Sequence, residues 1–389
     1  MAKLLCPYCF SRFTSEQMQF RCVNPTGDCP MVLDVELSRF VSDGSPPVPK
    51  PRTFTPPRPF WPGVPRSAMC SCRYETRLKL CPHCHNEWPT GLESTENLII
   101  AVIGAKDVGK SHYIAVLINT LTNDFGVRFR ASLNAVDDRT RTRYAAEFRK
   151  HVYEEKTAIP TTRAARTYPL IYRLVFEEGT IYKSLRVVTL VFFDTAGENF
   201  TTTNTLNAHN RYMASASGIL FLLDPLQIPA VQSRLAGKRV FPEERTNPID
   251  VVSRTDEVIR NVLGLDIHKR IRIPVALTFS KLDAIRELLP RGSVAHRDCI
   301  HQGVLNLTDQ EQMNETMRTH VAQWVGTGLE QLVSQRFAEY AYFGVSALGC
   351  APDEHGRIAG GVAPFRIEDP FLWLLYRMRV IDGQRRKTA

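Results

Sequence analysis

Eight residues, GAKDVGKS, follow directly on the apolar run LIIAVI, and their spacing is that of a turn built to hold phosphate. Gly104 and Gly109 let the backbone curl, so that successive N–H groups across Ala105, Lys106, Asp107 and Val108 face an anion. Lys110 brings a positive charge to β- and γ-phosphates, and the Ser111 hydroxyl is a ligand for Mg²⁺. His112 completes the candidate contact set at the start of a helix. That helix carries Ile114, Leu117, Ile118 and Leu121 on one face, which aims its N-terminal dipole at the same anion.

Three further groups stand where apolar strands end. Arg186–Phe193 runs into DTAGE, where Asp194 is placed to hold Mg²⁺ through water and the Gly197 N–H to sense a γ-phosphate. Ile273–Phe279 runs into SKLD. There Asp283 can accept hydrogen bonds from guanine N1–H and N2–H₂ while the Lys281 stem lies along the base. The last strand runs into Ser346, Ala347 and Leu348, where a backbone N–H can meet guanine O6. Asp224–Pro225 also ends a strand, a place that borders the site, but reads first as a turn.

Positioning these groups requires an α/β architecture, because ligands of such folds sit at the carboxyl ends of the strands. Apolar runs at Leu98–Ile103, Tyr168–Phe176, Arg186–Phe193, Gly218–Leu223, Ile273–Phe279 and Tyr342–Val345 read as strands, several buried on both faces. The pattern predicts a mostly parallel sheet with helices on both faces. A charged helix is expected over Arg139–Glu155, with covering helices over Leu329–Ala341 and Asp369–Arg379. Leu226–Ile249 and Arg286–Met313 read as surface insertions.

Eight of the ten cysteines fall in the first 84 residues, as Cys6/Cys9, Cys22/Cys29, Cys70/Cys72 and Cys81/Cys84. Two of these pairs are CPxC turns, which point two sulfurs at one tetrahedral metal, so two Cys₄ zinc sites are expected. The simplest grouping puts Cys6, Cys9, Cys22 and Cys29 on one zinc and Cys70, Cys72, Cys81 and Cys84 on the other. An interleaved grouping, with the two CPxC turns sharing a metal, fits the spacing as well. CPHCH also matches a haem-attachment motif, but the N-terminus shows no export signal, and His83 and His85 read as bystanders. Gly44–Arg66 holds nine of the 25 prolines and reads as an extended linker, or as a partner-binding strip using Phe54, Phe60 and Trp61.

The formal charge is +9, and two Cys₄ zinc sites of net −2 each bring it to about +5. That is mildly basic without a basic block, so a nucleic-acid partner is not expected. No apolar stretch approaches the length of a membrane span, and a cytoplasmic protein is expected.

In these motifs the chain resembles the P-loop GTPases of the Ras and translation-factor type over roughly Leu98 to Ile381. GAKDVGKS and DTAGE match two motifs fully, SKLD departs from [NT]KxD at Ser280, and SAL matches SAK in two positions. The resemblance implies a switch threonine, for which Thr161 is the best candidate, with Thr162 and Thr167 as rivals. It implies Mg²⁺ held by Ser111, Thr161 and Asp194, and chemistry resting on Lys110, Gly197 and Glu198. Glu198 replaces the glutamine that orients the attacking water, which predicts slow hydrolysis, and Arg163 or Arg166 is placed to act as an arginine finger.

With its cysteine pairs the chain is similar to the bacterial zinc-ribbon double-GTPase family of conflict or signalling systems. The likeness implies a GTP/GDP switch and a protein partner, an effector or a partner GTPase. The organisation expected is a zinc nodule at 1–42, a linker at 43–67, a second nodule at 68–95 and a GTPase-like domain at 96–389. An ATP-using NTPase and a nucleotide-binding scaffold without turnover are the competing readings.

Overall fold

The computed structural model describes residues 3–41, 46–57, 63–160, 168–178, 184–193, 208–238, 241–242, 246–299 and 301–385. Seven strands form the central sheet: β1 Glu96–Ile103, β2 Ala131–Ala135, β3 Leu170–Glu178, β4 Ser184–Phe192, β5 Gly218–Leu223, β6 Val275–Phe279 and β7 Tyr340–Gly344. Their order is β2-β3-β4-β1-β5-β6-β7. From β4 to β7 every neighbour is parallel, while β2–β3 and β3–β4 are antiparallel. β5 and β6 are buried along their full length, as their continuous apolar runs GILFLL and VALTF require.

Helices cover both faces. Gly218 of β5 lies against Leu374 of α6 (Asp369–Arg377), where a Cβ would make a tight 3.0 Å contact with that side chain. Three residues on, Phe221 points to the opposite face and meets Phe337, just beyond α5 (Gly328–Arg336). The remaining principal helices are α1 Lys110–Asn123, α2 Ala208–Ala214, α3 Pro248–Leu263 and α4 Leu307–Val325.

Several expectations are adjusted. Arg139–Glu155 is helical, but as an α-helix over Asp138–Arg143, capped by Asp137, that widens into a π-helix over Tyr144–Glu155. Strand β2, ASLNA, has little of the β-branched or aromatic character that marks a strand, and only its pairing with β3 reveals it. The helix expected to Ala341 ends at Arg336; Phe337 is extended and Tyr340–Gly344 joins the sheet. Neither expected insertion is wholly superficial: Ile228, Val231 and Leu235 are core residues in the first, and Leu305 and Met313 in the second, where α4 begins.

Before the sheet, the strand Gln19–Arg21 pairs on one side with Thr53–Phe54 and on the other with Lys79–Leu80. This three-stranded piece brings residues 81–84 back beside residues 6–9. It is the physical reason for the cysteine grouping described next.

Candidate functional site

The loop after β1 has the backbone its glycines predict. Gly109 lies in the left-handed region at φ 91° and Asp107 at φ 59°. At Gly104 the need is close approach: a Cβ would sit 2.4 Å from the Leu222 carbonyl oxygen. Helix α1 begins at Lys110, so the positive end of its dipole lies at the loop. The buried Lys110 Nζ donates to the carbonyls of Gly104 (3.0 Å) and Ala105 (2.6 Å), spanning the loop from within.

A cavity of about 640 Å³ opens beside this loop. Lys106, Asp107, Val108, Gly109 and His112 line one side; Lys281, Asp283, Ser346 and Ala347 line the other. The phosphate-type loop and both base-reading candidates therefore face one space. Ser346 Oγ donates to Asp283 Oδ1 at 2.5 Å and accepts from the Gly349 N–H at 3.0 Å, which fixes the carboxylate's direction. Ser280 also lines the cavity, and its Oγ donates to the Leu223 carbonyl at 3.2 Å.

Asp224, read chiefly as a turn residue at a strand end that borders the site, is tied to the cavity through Lys281. Its Oδ1 accepts from the Leu226 N–H at 2.9 Å, and its Oδ2 pairs with Lys281 Nζ at 2.5 Å. Lys281 Nζ donates in addition to the Asp107 carbonyl, so one ammonium ties the ends of β5 and β6 to the phosphate-type loop. The signal was present in the sequence. Asp224 closes an apolar strand just as Asp194 does. Leu226, Gln227, Phe241, Pro242 and Cys350 also line the cavity, and no spacing marked them.

His112 Nε2 accepts the Ile159 N–H at 2.9 Å and is therefore unprotonated. Burial, helped by the Lys281 cation, pushes its pKa down to about 4. Ile159 stands two residues before Thr161. Thr161, Thr162, Arg163, Arg166, Thr167, Asp194, Gly197 and Glu198 lie outside the described residues.

The cysteines adopt the interleaved grouping. Cys6, Cys9, Cys81 and Cys84 form one set and Cys22, Cys29, Cys70 and Cys72 the other, which corrects the simplest sequential assignment. Zinc–sulfur bonds of ~2.3 Å in a tetrahedron place sulfurs about 3.8 Å apart. In the first set Cys6–Cys84 is 3.7 Å and Cys9–Cys81 is 3.8 Å; in the second Cys22–Cys72 is 3.5 Å and Cys29–Cys70 is 3.8 Å. Soft, clustered donors at this separation fit zinc. The two CPxC turns share a geometry: Phe10 N–H donates to the Cys6 carbonyl and His85 N–H to the Cys81 carbonyl, each at 3.0 Å.

Against this geometry, a family model described as Double-GTPase 2 matches residues 98–349, well over half the chain. The chain belongs to the Double-GTPase 2 family. Over 331 residues it is 29% identical to a putative ESX-1 scaffolding and assembly protein, SaeC, of Mycolicibacterium smegmatis, covering 80% of this chain and 83% of that protein. Among solved structures, the nucleotide-analogue-bound small GTPase Arl6 of Trypanosoma brucei is similar at TM-score 0.30 and 11% identity, over 73% of this chain and 98% of that one. Among the described residues of this double-GTPase chain, no helix is long and apolar enough to cross a membrane.

Proposed function

We propose that this chain is a GTP-binding switch that holds guanine nucleotide with Mg²⁺ and turns it over slowly. One observation carries the reading: Lys106 to Gly109 of the GAKDVGKS loop, Asp283 and Ser346 line a single cavity, with the Asp283 carboxylate oriented by a hydroxyl. Asp283 reads the N1–H and N2–H₂ edge, Lys281 lies along the base, and Ala347 offers its N–H to O6. Gly104 to Gly109 and the start of α1 receive the phosphates, with Lys110 turning from the loop carbonyls to the phosphate oxygens. Ser111, Thr161 and Asp194 would hold Mg²⁺, which supplies neutralisation of phosphate charge. Glu198 places a carboxylate where a glutamine speeds hydrolysis, so occupancy, more than turnover, sets the state of the switch.

The cysteine-bearing front would act as a docking arm for a protein partner. Met31, Leu33 and Val48, on and beside the ribbon formed by Met31–Leu33 and Pro49–Pro51, are exposed apolar side chains that support this. A docking switch agrees with the scaffolding and assembly role that the mycolicibacterial relative's name carries.

The test is equilibrium binding of a fluorescent GTP analogue with Mg²⁺, competed by GDP, GTP and ATP, for the parent, Lys110→Ala and Asp283→Ala. Displacement by guanine nucleotides alone, weakened in both variants, is expected. Equal competition by ATP with no effect of Asp283→Ala would replace the guanine reading with an adenine one.

A further inference from the structure

Phe10 directly follows the first CPxC turn and lies in the left-handed region at φ 58°. A bulky residue there costs roughly 1–2 kcal/mol that glycine would not. Its side chain must therefore recover that cost where it packs. The ring is buried, with its centroid 5.6 Å from Phe193 and 5.1 Å from Tyr212. The Arg211 Nε–H donates to the Cys9 carbonyl at 3.0 Å, fastening the same turn to α2.

Tyr212 occupies a particular place. The pairing of β1 with β4 ends at Ile100 and Phe192, where its pairing with β5 begins. The fully buried Tyr212 hydroxyl fills that notch. It donates to the Ile100 carbonyl at 2.8 Å and accepts from Val102 N–H at 3.2 Å and Phe193 N–H at 3.4 Å. Ile103, one residue after Val102, leads into Gly104, and Phe193 immediately precedes Asp194. One hydroxyl thus bridges the two backbone segments that carry the candidate phosphate and Mg²⁺ groups. Tyr8, in the same turn, donates to Asp137 Oδ2 at 2.9 Å and meets Tyr168 edge-on at 6.4 Å.

We propose that Phe10 is a positioning residue for the phosphate end of the nucleotide site, acting through Tyr212, and that zinc at Cys6, Cys9, Cys81 and Cys84 is linked to nucleotide binding. This rests on the nucleotide reading given above. The metal-braced turn holds Phe10 in its unfavourable backbone region; Phe10 seats Tyr212; Tyr212 sets the spacing of β1 and β4. Linkage is reciprocal, so nucleotide must in turn hold the metal. Among the described residues, Cys22, Cys29 and Cys70 form a buried cluster of their own, apart from Phe10 and Tyr212, so the other cysteine set serves as the internal control.

The experiment uses the full zinc-loaded chain. Zinc release to a chromogenic chelator is followed with and without a non-hydrolysable GTP analogue plus Mg²⁺, and analogue affinity is measured in parallel. In the parent, bound analogue is expected to slow release of half the zinc at least about fivefold. Cys72→Ser keeps that effect. Phe10→Ala removes it and weakens the analogue roughly tenfold, with partial rescue in Phe10→Leu. Should Phe10→Ala not fold, the parent's release kinetics alone decide. Analogue binding without any change in zinc release overturns the linkage and leaves the nucleotide reading standing. No analogue binding by the parent overturns both.

Discussion

The two cysteine sets have the same donors and similar sulfur spacings, yet they are built into the protein differently. The inner set, Cys6, Cys9, Cys81 and Cys84, is buried throughout and closed by two matched CPxC turns. One turn faces the sheet through Phe10; the other sends His85, also left-handed at φ 50°, to Asp34 at 2.7 Å. Asp34 in turn pairs with the buried Arg21, next to Cys22. The outer set is closed by C-x₆-C and C-x-C pairs, its Cys72 is half-buried, and it neighbours exposed Met69 and Val23. The inner set is thus a joint between the front of the chain and the GTPase body. The outer set braces only the front.

The largest test of this difference breaks each cysteine set in turn. Cys6→Ser with Cys81→Ser is expected to lower unfolding stability by more than about 4 kcal/mol, because a set of metal-type ligands, a joint and part of the core are lost together. Cys22→Ser with Cys72→Ser should cost about 1–2 kcal/mol and leave the main transition in place. Urea unfolding followed by tryptophan fluorescence reads both. Equal losses would abolish the distinction.

The two left-handed residues sharpen it further. Phe10→Gly relieves backbone strain but empties a buried ring site, a net loss of about 2–4 kcal/mol. His85→Gly relieves similar strain and gives up one hydrogen bond, so the change should stay within about 1 kcal/mol. Thermal unfolding of the pair decides whether the side chains, rather than the turns, make the joint one-sided.

These differences mark what the sequence could and could not reveal. The spacing of GAKDVGKS, the strand-end acids and the CPxC turns was legible because each is a local pattern with a local cause. The cysteine grouping was not, since it depends on Gln19–Arg21 pairing with Lys79–Leu80, a contact between distant segments with only short strands to announce it. Nothing in one sequence singles out Phe10 or Tyr212, because a backbone angle and a notch between strands are not local patterns. Ser280 stood out as a departure from its motif, and its turn toward the Leu223 carbonyl is a tertiary fact. Strand β2 was missed because a weak edge strand is made by its neighbour.

The base end of the cavity should be indifferent to either cysteine set. Asp224→Asn keeps an acceptor for the Leu226 N–H but removes the charge that holds Lys281. Lys281 is about a third exposed, which moderates the loss to roughly 1 kcal/mol, or about fivefold in guanine nucleotide affinity. Zinc release in this variant should match the parent at saturating nucleotide. A changed release rate would mean that the base end, too, communicates with the metal, and the joint would be broader than Phe10 and Tyr212.

The smallest expected effect concerns a tie that bypasses the cysteines. His112 holds the Ile159 N–H as an unprotonated acceptor, with its pKa pushed down to about 4 from an ordinary 6.5. A histidine depressed in the folded state binds protons more readily when unfolded, so its contribution is complete above about pH 6.5 and declines as pH falls toward 4. His112→Gln retains an acceptor and has no proton to gain. Parent and variant should therefore be equally stable near pH 7.5. After allowance for the ring's partial exposure, the parent should fall behind by about 0.7 kcal/mol at pH 5.5. Taking the difference cancels proton-driven loss of zinc, which both proteins share. If the two curves coincide through pH 5.5, the Ile159 tether is not carried by an unprotonated His112.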